Sequence, residues 1–259
     1  MREISIKEIT IDAVKRRSPF AVSQAIEDDY ARALRKVGKV AGNLVGVHLD
    51  ADGNITDLPA MVAALEAYAK TIGPWAERQA FQMVQRTLFK NRKAWEGLAN
   101  KMGKALKIEI NHTPTGKIAQ ELVTKNVGLI QTIPRDAAAR AQKLAIGATQ
   151  TGKRASETAA ELMKSTQVSE SNAVRIARTE TARANSAINR ARAQSVGADD
   201  YTWQTMQDGD VRETHADMQD EVCSYNDPPA PEGEENYNPG EIYNCRCFAE
   251  PILSKLEDA

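Results

Sequence analysis

Apolar residues recur at spacings of three and four along the first 200 residues, which is the pattern of amphipathic helices. From Pro19 to about Gly46 this pattern predicts a first helix, with Ser18 as its N-cap. A second helical stretch, 59–107, is interrupted by Gly73-Pro74, so two helices are expected there. Further helices are predicted at 116–131, 134–150, 153–166 and 170–196, with Pro114, Pro134 and Gly152 as breaks and Ser156 or Ser169 as caps.

The pattern changes after Gly197. YTWQTM (201–206) alternates as a strand does, and IYNCRCFAEPIL (242–253) predicts a second strand. Between them, 226–241 holds four of the ten prolines and predicts a long acidic loop; the short connection 107–117 leaves room for another strand. The fold class expected is therefore mainly α, with a small C-terminal α+β unit that must dock on the helices because its own core is too small.

Charge divides the chain at residue 200. The first 200 residues carry 31 Lys+Arg against 21 Asp+Glu, whereas the rest carries 3 against 14. The two parts therefore face each other or face partners of opposite charge, unless both are ordinary solvated surfaces. The sequence lacks both a long apolar run for membrane insertion and an N-terminal export signal, so we expect a protein made in the cytoplasm without membrane association.

The helix predicted at 170–196 contains a carboxylate on its apolar face. On a helical wheel Glu180 falls in the middle of the arc defined by Ala173, Ala177 and Ile188. A buried carboxylate needs a cation or several donors, unless a rolled helix leaves it at a solvated edge. Asp208, Arg212 and His215 are the expected partners, since a helical turn would place them on one side.

The arginines of the same helix suggest a second chemistry. They could neutralise phosphates, although on the wheel they scatter over the polar surface as on a solvated face. The weak nucleic-acid candidates are Arg175, Arg183, Arg190 and Arg192.

All three cysteines lie near the C-terminus. His215, Cys223, Cys245 and Cys247 have the composition of a structural Cys3His zinc site that would hold the proline-rich loop. Because C-x-C is a weak zinc signal, simple burial of two sulfurs on one strand face is the competing interpretation. A Cys-His-Glu nucleophilic triad is disfavoured, since no glycine motif suggests an oxyanion hole.

Four pieces occur in a characteristic order: I-A-R-T-E at 176–180, Trp203, the D-x3-R-x2-H arrangement that ends at His215, and N-C-R-C at 244–247. In this order they resemble the phage Mu F-like family of minor head, or head morphogenesis, proteins, over about residues 130–253. The candidate structural network of the C-terminal unit takes its residues from these pieces: Arg178, Glu180, Trp203, Asp208, Arg212 and His215.

The resemblance also implies a function. It predicts a non-enzymatic protein of the phage head that assembles with the portal and other head components, with contact to packaged DNA and no small-molecule substrate. Residues 111–259 would form the Mu F-like domain, helical over 114–196 with a β-containing tail at 201–253, and 1–110 a helical region for a protein partner. Some relatives carry a C-P-x-C pair where this chain has V-R-E-T-H, which puts zinc in doubt. The alternative is a zinc-stabilised nucleic-acid-binding module outside the virion.

Overall fold

The computed structural model describes residues 18–102, 115–151 and 155–253. This part of the chain contains six helices and a small antiparallel sheet near the C-terminus, which confirms the predicted fold class. The helices are α1 (Gln24–Gly46), α2 (Leu58–Thr71), α3 (Gly73–Met102), α4 (Thr115–Thr151), α5 (Ala155–Ser195) and α6 (Glu213–Ala216). The strands are β1 (Asp200–Gln204), β2 (Val222–Ser224) and β3 (Phe248–Pro251). Most of the predicted connection 107–117 lies outside the described residues.

The first helix begins later than the sequence predicts. Ser18 does not cap a helix at Pro19: its hydroxyl accepts from the Phe20 N–H and donates to Glu250. The carbonyl of Ala21 accepts a hydrogen bond from the Lys90 side chain. These contacts hold residues 18–21 in a turn, and the helix starts only at Gln24.

The break at Gly73-Pro74 is confirmed, because α2 ends at Thr71 and α3 begins at Gly73. The start of α2 follows from local chemistry. Asp57 caps it by accepting from the Ala60 N–H at 2.9 Å, with a proline in the first turn.

Two other predicted breaks are wrong. Pro134 lies inside α4, and Ser169 lies inside α5. Proline within a helix costs about 3 kcal/mol, but the flanking Ile130 and Ile133 are fully buried, which offsets that loss. Ser169 is buried as well, and its hydroxyl accepts from Arg140 at 2.7 Å and does not cap a helix.

The sheet has the order β2-β1-β3, with both neighbours antiparallel to β1. The predicted strand at 201–206 is confirmed as β1. The predicted strand at 242–253 is mostly wrong, because only Phe248–Pro251 pairs, with Trp203 opposite Ala249. Short strand β2, with Cys223 opposite Tyr201, lies in a segment where no strand was predicted.

The chain forms two compact units, each built from separated segments. The sheet unit contains, among described residues, 18–24, 85–102, 115–119 and 179–253; the helical unit contains 25–84, 120–151 and 155–178. The predicted domain boundary near residue 110 lies outside the described residues and stays a prediction. Among the described helices, none is both long and apolar enough to cross a membrane.

Each unit has its own core. The largest side chains of the sheet unit's core are aromatic, and Cys245 and Cys247 are buried among them. The core of the helical unit contains smaller side chains, including Met61, Leu65 and Leu162. The aromatic core is the one that surrounds the candidate site.

Candidate functional site

Cys245 closes a tight turn that begins at Ile242, and Cys247 lies between that turn and β3; we call this segment the cysteine turn. Asn244 has φ of +59°, and its N–H donates to the Thr179 hydroxyl on α5 at 2.8 Å. Gly240 approaches the same segment so closely that a Cβ there would lie 3.0 Å from the Cys247 carbonyl oxygen. The turn is thus fixed from both sides, and it directs both cysteine side chains inward, where each residue is only 4% exposed.

His215 comes to the same place from α6. Its Nδ1 lies 3.5 Å from the sulfur of Cys245 and 3.5 Å from that of Cys247. Its other ring nitrogen, Nε2, lies 3.0 Å from the Tyr237 hydroxyl. The imidazole packs edge-on against Trp203, with ring centroids 5.5 Å apart. Three groups able to bind a metal therefore have ligand atoms within 4.8 Å of one another, in the described part of the chain.

The two thiols interact strongly. Hydrogen bonding from Cys247 lowers the pKa of Cys245, and His215 acts in the same direction against the effect of burial. The pKa of Cys247 is raised, first by its hydrogen bond with Cys245 and then by burial. Burial also raises the pKa of Tyr237 to about 12, so its hydroxyl stays protonated beside His215. One negative charge is favoured in this site, and a second needs a cation.

Cys223 was predicted as a ligand, and the structure places it elsewhere. On β2 it pairs with Tyr201, two residues along β1 from Trp203, the residue that contacts His215. Among the described residues, the group whose ligand atoms lie within 4.8 Å of one another consists of His215, Cys245 and Cys247, and it does not include Cys223. Cys223 is half-buried beside an open groove that also contains Asp217 and Asp227.

Glu180 is buried, as the wheel predicts, but its expected partners are wrong. Its Oε1 accepts from Arg183 Nη1 at 2.7 Å, one helical turn along α5. Arg183 also donates to the Glu241 carbonyl at 2.5 Å. An arginine three residues away on the same helix reaches the carboxylate, so this pair forms without any contact between distant segments.

The tail residues expected beside Glu180 pair within the tail. Asp208 accepts from Arg246 at 2.7 Å, and the same guanidinium lies 3.2 Å from Asp210. Arg212 forms an ion pair with Glu232 at 3.4 Å and donates to the Tyr243 carbonyl at 3.1 Å.

The four nucleic-acid candidates have different surroundings. Arg192 is buried and donates to Asn91 at 2.6 Å, so it is not available to phosphates. Arg183 is hydrogen-bonded to Glu180. Arg175 is exposed and bonded to Asn172, and Arg190 is half-buried. Arg178, predicted in the network of Glu180, forms an ion pair with Glu27 at 3.1 Å within the helical unit.

Several residues that build the site were missed from the sequence. Tyr237 lies in the proline-rich loop and looks like any loop aromatic. Asn189 accepts from Trp95 Nε1 at 2.9 Å and donates to the Ala249 carbonyl at 2.9 Å, which fixes β3 on the helices. The wheel gave no signal for it, because Asn189 is nine residues after Glu180 and therefore lies about 180° from the middle of the apolar arc. Asn185, four residues earlier, donates to the Phe20 carbonyl.

Comparisons with known proteins agree with these features. Residues 139–250 match the family model described as "Phage Mu protein F like protein". A protein of Haemophilus influenzae (strain Rd) described as uncharacterized is 30% identical over 162 residues, which is 62% of this chain and 35% of the relative. The chain thus spans about a third of that curated relative. No solved structure matches the chain. The resemblance to the phage Mu protein F like family is therefore confirmed for the C-terminal half of the chain, over residues 139–250.

Proposed function

We propose that this chain is a non-enzymatic minor head protein that acts in procapsid assembly at the portal vertex. The observation that carries the proposal is the family match over residues 139–250, the segment that contains α5, the sheet and the cysteine turn. The buried polar groups described above serve packing: Asn189 fixes β3, and Thr179 fixes the cysteine turn. Such a rigid C-terminal unit suits an assembly component located in the phage head.

The acidic tail suggests the character of the partner surface. Both arginines of 201–253 form ion pairs with tail carboxylates, so they do not offer free positive charge. Exposed acidic side chains such as Glu234 and Glu235 remain on the proline-rich loop. We therefore propose that this loop faces a basic surface of the portal or of another head component, which electrostatic complementarity would favour. The N-terminal region 1–110 is proposed as a second partner-binding region.

Quantitative mass spectrometry of purified procapsids and heads tests the function. The chain is expected in low copy number relative to the major capsid protein, and its absence from both particles would refute the proposal. Replacing Glu234 and Glu235 by lysine should lower incorporation. Replacing Glu121 and Glu157 by lysine provides a control of the same charge change, because both are also exposed but lie on α4 and α5, and it should leave incorporation unchanged.

DNA contact is a narrower proposal. It rests on Arg175 and Arg190, since Arg183 and Arg192 are held by protein groups. The alternative function, a zinc-stabilised nucleic-acid-binding module outside the virion, is favoured only by the His215, Cys245 and Cys247 cluster. It requires DNA affinity that falls steeply with salt. A purified chain that does not bind DNA at low salt would eliminate this alternative without affecting the head proposal.

A further inference from the structure

We propose that His215, Cys245 and Cys247 bind one zinc ion as a three-residue site, with the fourth coordination position open to a neighbouring polar pocket. This site differs from the four-residue set suggested by the sequence, because Cys223 is excluded. It is also independent of the head function: the metal measurements below do not depend on whether the chain enters a particle.

The distances support a tetrahedral ion. Zinc binds imidazole nitrogen at about 2.0–2.1 Å and thiolate sulfur at about 2.3 Å, so a tetrahedral angle places nitrogen and sulfur about 3.5 Å apart. The two distances from His215 Nδ1 to the sulfurs are both 3.5 Å. Packing of two small apolar side chains would not require one ring nitrogen to face both sulfurs equally.

The surroundings of the three ligands have the features of an outer shell. Zinc-bound histidines usually direct their second ring nitrogen to a hydrogen-bonding partner, which fixes the ring. Here Nε2 meets the Tyr237 hydroxyl at 3.0 Å. The Cys247 N–H points to the Cys245 sulfur at 3.4 Å, a contact that stabilises a thiolate. The left-handed backbone of Asn244, held by Thr179, fixes the turn that leads into the two cysteines.

The fourth position faces a pocket of about 60 Å³, which contains Asp210, Asn244 and Arg246 beside the three ligands. This volume accommodates a water molecule. The nearby carboxylates of Asp208 and Asp210 already bond to Arg246, at 2.7 and 3.2 Å. We therefore assign the fourth position to water or to a ligand atom from a partner, and not to Asp208 or Asp210.

The first experiment uses the full-length wild-type chain, so it does not depend on the folding of a variant. The chain is reduced, stripped with a chelator and titrated with Zn²⁺ and, separately, with Co²⁺ as a coloured probe. We expect one ion per chain, a higher melting temperature, and Co²⁺ absorption bands from tetrahedral coordination with two thiolates. Binding below one ion per chain, or Co²⁺ spectra without sulfur charge-transfer bands, would overturn the proposal.

Single substitutions then identify the ligands. Cys245→Ser and Cys247→Ser should each remove about half of the charge-transfer intensity, because each sulfur contributes one of the two thiolates. Cys223→Ser is the matched control and should leave stoichiometry and spectrum unchanged. Tyr237→Phe should weaken Zn²⁺ affinity about tenfold, since outer-shell partners typically contribute that much.

Two results would contradict the three-residue site, one from the variants and one from the unstripped wild-type chain. If Cys223→Ser lowers the charge-transfer band as much as Cys245→Ser does, a four-residue site replaces it. If the unstripped chain lacks two hydrogens by mass until a reductant is added, and does not bind Zn²⁺ afterwards, the two cysteines form a redox pair.

Discussion

Removal of the Glu180 carboxylate should destabilise the protein substantially, although the same change in an exposed ion pair should not. The Glu180 side chain is 2% exposed, and Arg183 beside it is 31% exposed, with 2.7 Å between their charged atoms. Breaking a buried ion pair typically costs about 3–5 kcal/mol, and the partial exposure of Arg183 lowers our expectation for Glu180→Ala to about 2–4 kcal/mol. Glu180→Gln keeps the side-chain shape and a hydrogen-bond acceptor for Arg183, so it should lower the free energy of unfolding by only about 1–2 kcal/mol.

The assay is urea unfolding followed by tryptophan fluorescence, at fixed pH and salt. The ion pair of Arg32 with Asp29 is the matched control, because it has the same i,i+3 spacing and a 2.8 Å distance, but its side chains are 68% and 44% exposed. Asp29→Ala should therefore leave the unfolding midpoint nearly unchanged. A loss of stability below about 0.5 kcal/mol for Glu180→Ala, the range of ordinary surface substitutions, would refute the role of burial, and so would equal losses of stability in the two variants.

Three further outcomes are expected. Gly240→Ala should lower the free energy of unfolding by about 1–3 kcal/mol more than Gly233→Ala does. Both glycines have positive φ, but only at Gly240 would a Cβ lie against backbone carbonyls. Urea unfolding measures the difference. Asn189→Ala should lower the free energy of unfolding by about 2–4 kcal/mol, because it leaves buried hydrogen-bonding groups without a partner. Substitution of the exposed Asn226 by alanine should change it by less than about 0.5 kcal/mol. Burial raises the pKa of Glu250 above 4.5; the folded state therefore binds this proton more tightly, so stability falls as pH rises from 4.5 through the folded pKa. Glu250→Gln should flatten this dependence of the melting temperature on pH. An unchanged dependence would contradict a raised pKa for Glu250.

The features that were predictable from the sequence are those set by local spacing. The helical periodicity, the break at Gly73-Pro74 and the strand around Trp203 depend on residues within one or two turns of each other. The burial of Glu180 was predictable for the same reason, since a wheel places it among small apolar residues. These features required no knowledge of which distant segments meet.

The errors came from contacts between distant segments. Pro134 and Ser169 are local break or cap signals, but buried packing on both sides keeps their helices continuous. The strand predicted at 242–253 satisfies a β pattern. It nevertheless begins only at Phe248, because Thr179 and Gly240 hold the preceding residues in a turn.

Composition, charge and cysteine positions are properties of the chain alone, and they are enough to place the chemistry in one small C-terminal unit of a mainly helical protein. Which residues meet depends on the tertiary structure. It brings His215 to Cys245 and Cys247, leaves Cys223 beside another strand position, and pairs Glu180 with Arg183. The reason is physical. A shared ligand site requires atoms within a few ångströms of one another. Strand register, turn geometry and core packing set these distances between residues far apart in sequence, and local sequence patterns do not predict them.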